Sequence, residues 1–280
     1  MLGATVQVRD QDVWLPSDIA AKVKQFGLTL INFPTAFWHL LVQEWERSLN
    51  LEDVATLRLV ISGGDKMLPD MAKRWWNLGL KDVRLINAYG PTEATITAST
   101  ADVDGPQSLR YQQASIGTPL CNRSMYLLDA QMRPVPVGSE GELYIGGIGL
   151  ATEYLNRPDL TEQAFLQDPF SEGSGEETDG RMYRTGDRAF YDEQGNVYFV
   201  GRADTQVKIR GYRIEPMEVE QRVNQSALVR EAAVVIREQG DDNKQIVMCF
   251  VPAQSGPVES ELKQFLAEQL PEYMLPHLYM

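Results

Sequence analysis

The chain has 280 residues, 43% of them hydrophobic, enough to bury the core of one large domain or of a medium domain with a small one. Its formal net charge of -13 excludes a nucleic-acid binder, because neutralising phosphates needs a basic face. No apolar run reaches the ~18 residues that cross a bilayer, so no membrane partner is expected.

Residues 3–10 form a short run of alternating apolar character, and Ile19, Val23 and Phe26 share one face of a helix predicted over 18–26, stopped by Gly27. A strand over 28–34 and a helix over 36–45 follow. The unit then repeats: strand 57–62, helix 70–78, strand 83–89. This β-α-β-α-β order predicts a parallel sheet with helical crossovers, whose ligands bind in the loops beyond the carboxyl ends of the strands. Those loops are Ser62-Gly63-Gly64-Asp65 and the residues from Ala88 to Glu93. From Ser115 the texture becomes Gly- and Pro-punctuated β, with strands at 124–129, 141–147 and 196–202 and one helical stretch at 159–165. The acidic, Gly/Ser-rich run 171–180 reads as an exposed loop. A domain boundary is placed near Asp204. Beyond it a helix at 218–228, strands at 232–238 and 245–252, and a helix at 261–270 make a small α+β unit. The expected fold is therefore α/β, with residues 1–203 one domain (a β-α-β sheet over 1–100, a mostly β lobe over 115–203) and 204–280 a second. Cys121 and Cys249 lack CxxC spacing, and His39 and His277 do not complete a metal site, so buried or unreactive thiols in a cytoplasmic protein are expected.

Gly63 and Gly64 alone could be a tight turn. The loop Asn87-Ala88-Tyr89-Gly90-Pro91-Thr92-Glu93 is more telling, because an amide, a flat aromatic face, a hydroxyl and a carboxylate stand together at a strand end. Those groups suit a nucleotide: Asn87 to bond a base edge, Tyr89 to stack on it, Thr92 to donate to a phosphate, Glu93 to hold Mg²⁺.

At these residues the sequence resembles the adenylate-forming enzymes, and within them the amino-acid-activating domains of nonribosomal peptide synthetases. NAYGPTE (87–93) matches that subgroup's motif, GELYIGGIGLATEYL (141–155) is similar to a second and YRTGD (183–187) to a third. GRADTQVKIRGYRIE (201–215) and LPEYMLP (270–276) match two more, in the family's order. The resemblance implies that Gly63, Gly64 and Asp65 line an adenine pocket with Asn87, Ala88, Tyr89 and Gly90. Thr92 would face the α-phosphate, Glu93 the magnesium ion, and Asp187 the ribose hydroxyls, although an aspartate in a Thr-Gly-Asp turn can also be purely structural. Arg202 would approach ribose and phosphates, and Asp204 would be the hinge of a mobile second domain. Lys208 and the Gly211 loop would form its face toward a carrier's phosphopantetheine, unless Lys208, Arg210 and Arg213 are only a solvated basic strand edge. Substrate-lining positions would be Asn32, Ile61, Gly63, Ala88, Ile96 and Thr97; none is charged, which implies a neutral amino acid or related carboxylic acid.

The implied reaction consumes ATP, forms an acyl-AMP and transfers the acyl group to a peptidyl carrier protein domain, in a parent synthetase that also holds a condensation domain. Three departures from the pattern stand out: Thr152-Glu153 for Arg-Gly, Arg188 for Leu, and Pro216-Met217 for Leu-Gly. The resemblance also leads one to expect a Lys-bearing phosphate loop, an aspartate for the substrate amine and a terminal lysine, none of which occurs in these residues, so the polypeptide alone is expected to be inactive in adenylation. The alternatives are an acyl or aryl acid:CoA ligase of the same superfamily and a non-catalytic nucleotide-binding fragment.

Overall fold

The structure, a computed structural model, describes residues 3–8, 13–171, 180–204, 206–209, 212–238, 244–253 and 258–280. The Arg9-Asp10 end of the first apolar run, nearly all of the acidic loop, and Thr205, Arg210 and Gly211 lie outside the described residues.

Helix α1 (Ile19–Phe26) ends at Gly27, whose φ of +58° lets its N–H turn back to Val23 O. Strand β1 (Leu30–Pro34), helix α2 (Thr35–Ser48), strand β2 (Leu59–Gly63), helix α3 (Pro69–Asn77) and strand β3 (Arg84–Tyr89) follow. The three strands are parallel, with Asn32 beside Ile61 and Ile61 beside Ile86. Two antiparallel strands, β4 (Ser99–Asp102) and β5 (Thr118–Pro119), extend this sheet in the order β1-β2-β3-β4-β5. The sheet thus runs on to Pro119 rather than ending at 100. The segment Ser-Thr-Ala-Asp has no apolar alternation to announce a strand; what recruits it is the unpaired backbone edge of β3.

One face of the sheet is the core. Val60 and Leu85 from the strands meet Ile19, Val23, Trp38, Leu41, Trp45 and Trp75 from the helices, all at most 3% exposed. The Trp75 ring lies 6.0 Å from that of Trp38 and 5.9 Å from that of Trp45, and burying three such rings dominates the apolar gain of this layer. The other face, carrying Asn32, Ile61, Gly63 and Ala88, is exposed or half-buried.

A second sheet follows from β6 (Arg123–Leu128), β7 (Gly141–Gly147), helix α4 (Pro158–Ala164), β8 (Phe165–Gln167), β9 (Arg181–Tyr191) and β10 (Val197–Arg202). Its order is β10-β9-β7-β6, with β8 paired to β9. Tyr89 at the end of β3 and Ala94, Ala98 and Ile116 from the first sheet's loops pack with Leu127, Leu143, Ile145 and Val197 of the second, so the two lobes share one apolar layer.

The chain divides into compact units at Met1–Ala203 and Asp204–Met280. The second contains the hairpin β11 (Val207–Ile209) and β12 (Tyr212–Ile214), helix α5 (Pro216–Asn224), β13 (Val229–Glu238), β14 (Lys244–Pro252), helix α6 (Glu259–Gln269) and β15 (Leu278–Tyr279). Strands β13, β14 and β15 form one sheet, packed by Val219 and Val223 of α5 and Leu262 and Leu266 of α6. Pro216, unusual beside the family pattern, is the first residue of α5, where its missing N–H costs no helical bond. Among the described residues no helix is long and apolar enough to cross a membrane. Cys121 and Cys249 are free and exposed, so of the expectation that they are buried or unreactive, burial is corrected: each sits where its strand or turn faces solvent.

Burial pushes the hydroxyls of Tyr191, Tyr198 and Tyr279 up from 10.0 to about 12. A group that holds its proton more tightly when folded contributes stability below its unfolded pKa and loses it as pH rises through the folded value. Urea midpoints should therefore hold to about pH 9 and fall between about pH 10 and 12. A midpoint unchanged at the alkaline end would contradict this burial pattern.

Candidate nucleotide site

Strands β2 and β3 end side by side, with Gly63 directly beside Ala88. A Cβ on Gly63 would stand 2.5 Å from the Ala88 carbonyl oxygen, so only glycine lets the two strand ends close. Gly64 follows, exposed, with φ +91°; Asp65 is half-buried, its carbonyl accepting from the Thr35 hydroxyl at 3.2 Å and its carboxylate from Lys66 N–H at 2.8 Å.

After β3 the chain curls. Thr95 and Ile96 adopt φ of +54° and +67°, and the Ala98 N–H returns to Tyr89 O at 2.8 Å. Gly90 sits inside this curl, where a Cβ would lie 2.5 Å from Ile96 O. Thr92 begins a 3-10 turn (Thr92–Ala94) and is exposed, whereas Glu93 in the same turn is 6% exposed. Ile96 is exposed and Thr97 half-buried. Asn87 is buried, and its amide donates to Ser115 O at 2.8 Å. That bond ties β3 to the segment leading into β5, leaving the Asn87 carbonyl oxygen and one N–H for other partners.

Asp187 lies inside β9, not in the isolated Thr-Gly-Asp turn that its local sequence also allows. Tyr144 pairs with Arg184 and Glu142 with Arg188, so three residues of β9 oppose the single Leu143 of β7. This bulge, with Gly186 at φ +73°, re-aims the aspartate. Thr185 locks it: its hydroxyl donates to Leu143 O at 2.7 Å and accepts the Asp187 N–H at 2.9 Å.

The Asp187 carboxylate draws in Tyr89 and Arg202. The Tyr89 hydroxyl donates to Oδ2, and Arg202, its cross-strand neighbour on β10, donates Nη1–H to Oδ1 at 2.8 Å. Both charged side chains are largely buried, with 16% of Arg202 and 10% of Asp187 exposed. Burial and the adjacent carboxylate hold the Tyr89 hydroxyl far above its ordinary pKa, so it remains a donor. A carboxylate is acceptor-only, with about four lone-pair sites on its two oxygens, so a single side chain suits a pair of hydroxyl donors.

Around Glu93 the arrangement rests on residues to which the motifs alone assign no role. The Tyr154 hydroxyl donates to Glu93 Oε1 at 2.5 Å and lies 3.4 Å from the Tyr183 hydroxyl. Arg181 donates to the carbonyls of Thr152 and Ala151 at 3.0 and 3.3 Å, so the Thr152-Glu153 departure falls on a segment held by its backbone. The sequence signal for Tyr154 is its place in the Gly141–Leu155 motif; nothing local assigns it a partner. Among the described residues no three His, Cys, Asp or Glu side chains gather as an all-protein metal cage. A buried carboxylate such as that of Glu93 does fit Mg²⁺, which is usually held by one or two carboxylates together with substrate phosphates.

Asp204 opens the second unit and accepts the Gln206 N–H at 3.1 Å, and Lys208 lies on β11 opposite Arg213.

Residues 1–155 match the family model described as AMP-binding enzyme, and residues 218–280 match the AMP-binding enzyme C-terminal domain. The chain is 39% identical over 275 residues to malpibaldin synthetase of Mortierella alpina, covering 98% of this chain and 5% of that protein. It is 38% identical over 252 residues to a dimodular nonribosomal peptide synthase of Bacillus subtilis, covering 89% of this chain and 10% of that protein. It superimposes, with a TM-score of 0.78 and 26% identity, on an artificially fused adenylation-PCP di-domain NRPS from Klebsiella oxytoca, covering 99% of this chain and 48% of that one. The chain thus spans a small fraction of the curated relatives it matches and about half of the solved structure. By the match over more than half its length, and by a fold that gathers the matched motifs around Asp187 and Glu93, the chain belongs to the AMP-binding enzyme family.

Proposed function

We propose that this chain carries the adenosine and magnesium contacts of an amino-acid adenylation site, whose parent protein activates an amino acid as aminoacyl-AMP and passes it to the phosphopantetheine thiol of a carrier domain. The observation that carries the reading is the joining of Tyr89, Asp187 and Arg202, from three separate sequence motifs, at one buried carboxylate.

In this reading Asp187 accepts the two ribose hydroxyls, and Arg202 both fixes that carboxylate and lends positive charge toward the phosphates. Gly63, Gly64, Asp65, Asn87, Ala88, Tyr89 and Gly90 border the adenine, and Thr92, exposed at the start of its turn, donates to the α-phosphate. Glu93 holds Mg²⁺, whose contribution when bound is to neutralise phosphate charge. The amino-acid carboxylate oxygen attacks the α-phosphorus, the bond to the bridging oxygen breaks, and pyrophosphate departs with the electron pair. The carrier thiolate sulfur next attacks the acyl carbon and AMP leaves. The protein contributes orientation and charge stabilisation rather than covalent chemistry.

Asn32, Ile61, Gly63, Ala88, Ile96 and Thr97 are assigned to the acyl pocket; the first four lie on one sheet face, in register as two adjacent pairs. Without a charged member they favour a neutral side chain. Asp204 serves as the hinge and Lys208 as part of the carrier-facing surface.

The acceptor decides between the main reading and a CoA ligase. With the full-length parent protein, radiolabelled amino acid should appear on the carrier domain as a thioester, removable by hydroxylamine. Formation of free acyl-CoA with no loading of the carrier would overturn the assignment.

A further inference from the structure

Glu93 is buried, yet it is the carboxylate to which a cation is assigned, and its environment is built rather than incidental. Three ties draw the segment 149–154 against the turn that bears it. The Thr95 hydroxyl donates to Gly149 O at 2.6 Å, the Ala151 N–H to Glu93 O at 2.7 Å, and the Tyr154 hydroxyl to Glu93 Oε1 at 2.5 Å. Tyr154 is itself fixed from the other side. Its N–H donates to the Thr161 hydroxyl of α4 at 3.0 Å, and its ring meets the Phe165 ring edge-on at 5.6 Å. Phe165 in turn packs on Tyr183 at 5.2 Å and lies under the Arg181 guanidinium at 5.5 Å. A short O–H···O⁻ bond from a side chain held at both its backbone and its ring restrains the carboxylate it reaches.

We propose that Tyr154 is a positioning residue that orients the Glu93 carboxylate for Mg²⁺, with Phe165, Thr161 and Tyr183 holding it in place. The inference rests on the assignment of Glu93 to the metal. Outer-shell donors of this kind set the direction of a ligand's lone pairs, and losing one costs about 10–100-fold in metal affinity.

The test separates this role from general structural support. Mg²⁺ is titrated into the 280-residue chain at fixed ATP, with calorimetry reading the apparent metal affinity, and AMP is titrated without metal in parallel. Tyr154→Phe should weaken Mg²⁺ by about 10–100-fold while metal-free AMP affinity and the thermal midpoint change little. In a Glu93→Gln background the same substitution should have no further effect on the metal response, because the anionic ligand that Tyr154 orients is gone. An unchanged Mg²⁺ affinity in Tyr154→Phe, or an equal loss with and without Glu93, would overturn the positioning role. Wild-type chain that binds ATP with no response to Mg²⁺ would overturn the metal assignment of Glu93 itself and the inference with it.

Discussion

Asp187→Asn is expected to weaken AMP binding by at least about 100-fold and to lower the thermal midpoint of the first unit. The nearly isosteric amide keeps the bulge but replaces an anionic acceptor by a neutral one, and one of its two terminal atoms becomes a donor. Oδ1 now accepts from Arg202 at 2.8 Å and Oδ2 from Tyr89, so either orientation of the amide confronts a donor with an N–H. Arg202 would keep its charge in a site where only 16% of it is exposed. Hydrogen bonds to a charged partner contribute about 1.5–3 kcal/mol each, so losing two ribose contacts accounts for the affinity change, while the loss of the buried Arg202–Asp187 ion pair accounts for the stability loss. Equilibrium titration with AMP and a melting curve measure the two effects. Affinity within threefold of wild type would remove Asp187 from the site.

Gly117→Ala should be the most damaging single substitution for folding. Gly117 has φ +79°, and an added Cβ would fall 1.8 Å from the Thr100 carbonyl oxygen. The obstacle is backbone in β4, so no side-chain rotation relieves it. Left-handed strain costs about 1–3 kcal/mol, and the clash adds displacement of a strand junction. At this position Ser115 supports the turn, donating to Val197 O at 2.7 Å and accepting the Gly117 N–H at 2.8 Å, while Ser99 donates to Ile116 O at 2.7 Å. Because Gly117 joins the first sheet to Val197 of the second, both lobes of the shared apolar layer lose their register. Urea unfolding should show a loss of at least about 3 kcal/mol or no folded state at all. A variant as stable as wild type would mean that this junction can open without cost.

What could be read from the sequence follows from what kind of interaction fixes each part. Strands such as Leu59–Gly63 and helices such as Pro69–Asn77 announce themselves by apolar periodicity, a local property. Strand β9 does not, because Thr185-Gly186-Asp187 reads as a turn; it is a strand through its pairing with β7 and β10, partners distant in sequence. The same distinction runs through the site. Asn87 to Glu93 is legible as a cluster of nucleotide-suited groups at a strand end. That the Asn87 amide is engaged by Ser115, that Tyr89 reaches Asp187, and that Tyr154 grips Glu93 are contacts across 28, 98 and 61 positions, and no local pattern encodes them. Gly117 carries no side chain, so a search for chemistry passes it by.

The reading stands or falls on whether this carboxylate cluster receives adenosine. Isothermal titration of AMP into the 280-residue chain should show one saturable site, and the binding should be lost in Asp187→Asn and retained in an exposed control such as Arg133→Gln. Absence of binding by the wild-type chain, or equal binding by wild type and Asp187→Asn, would contradict the account.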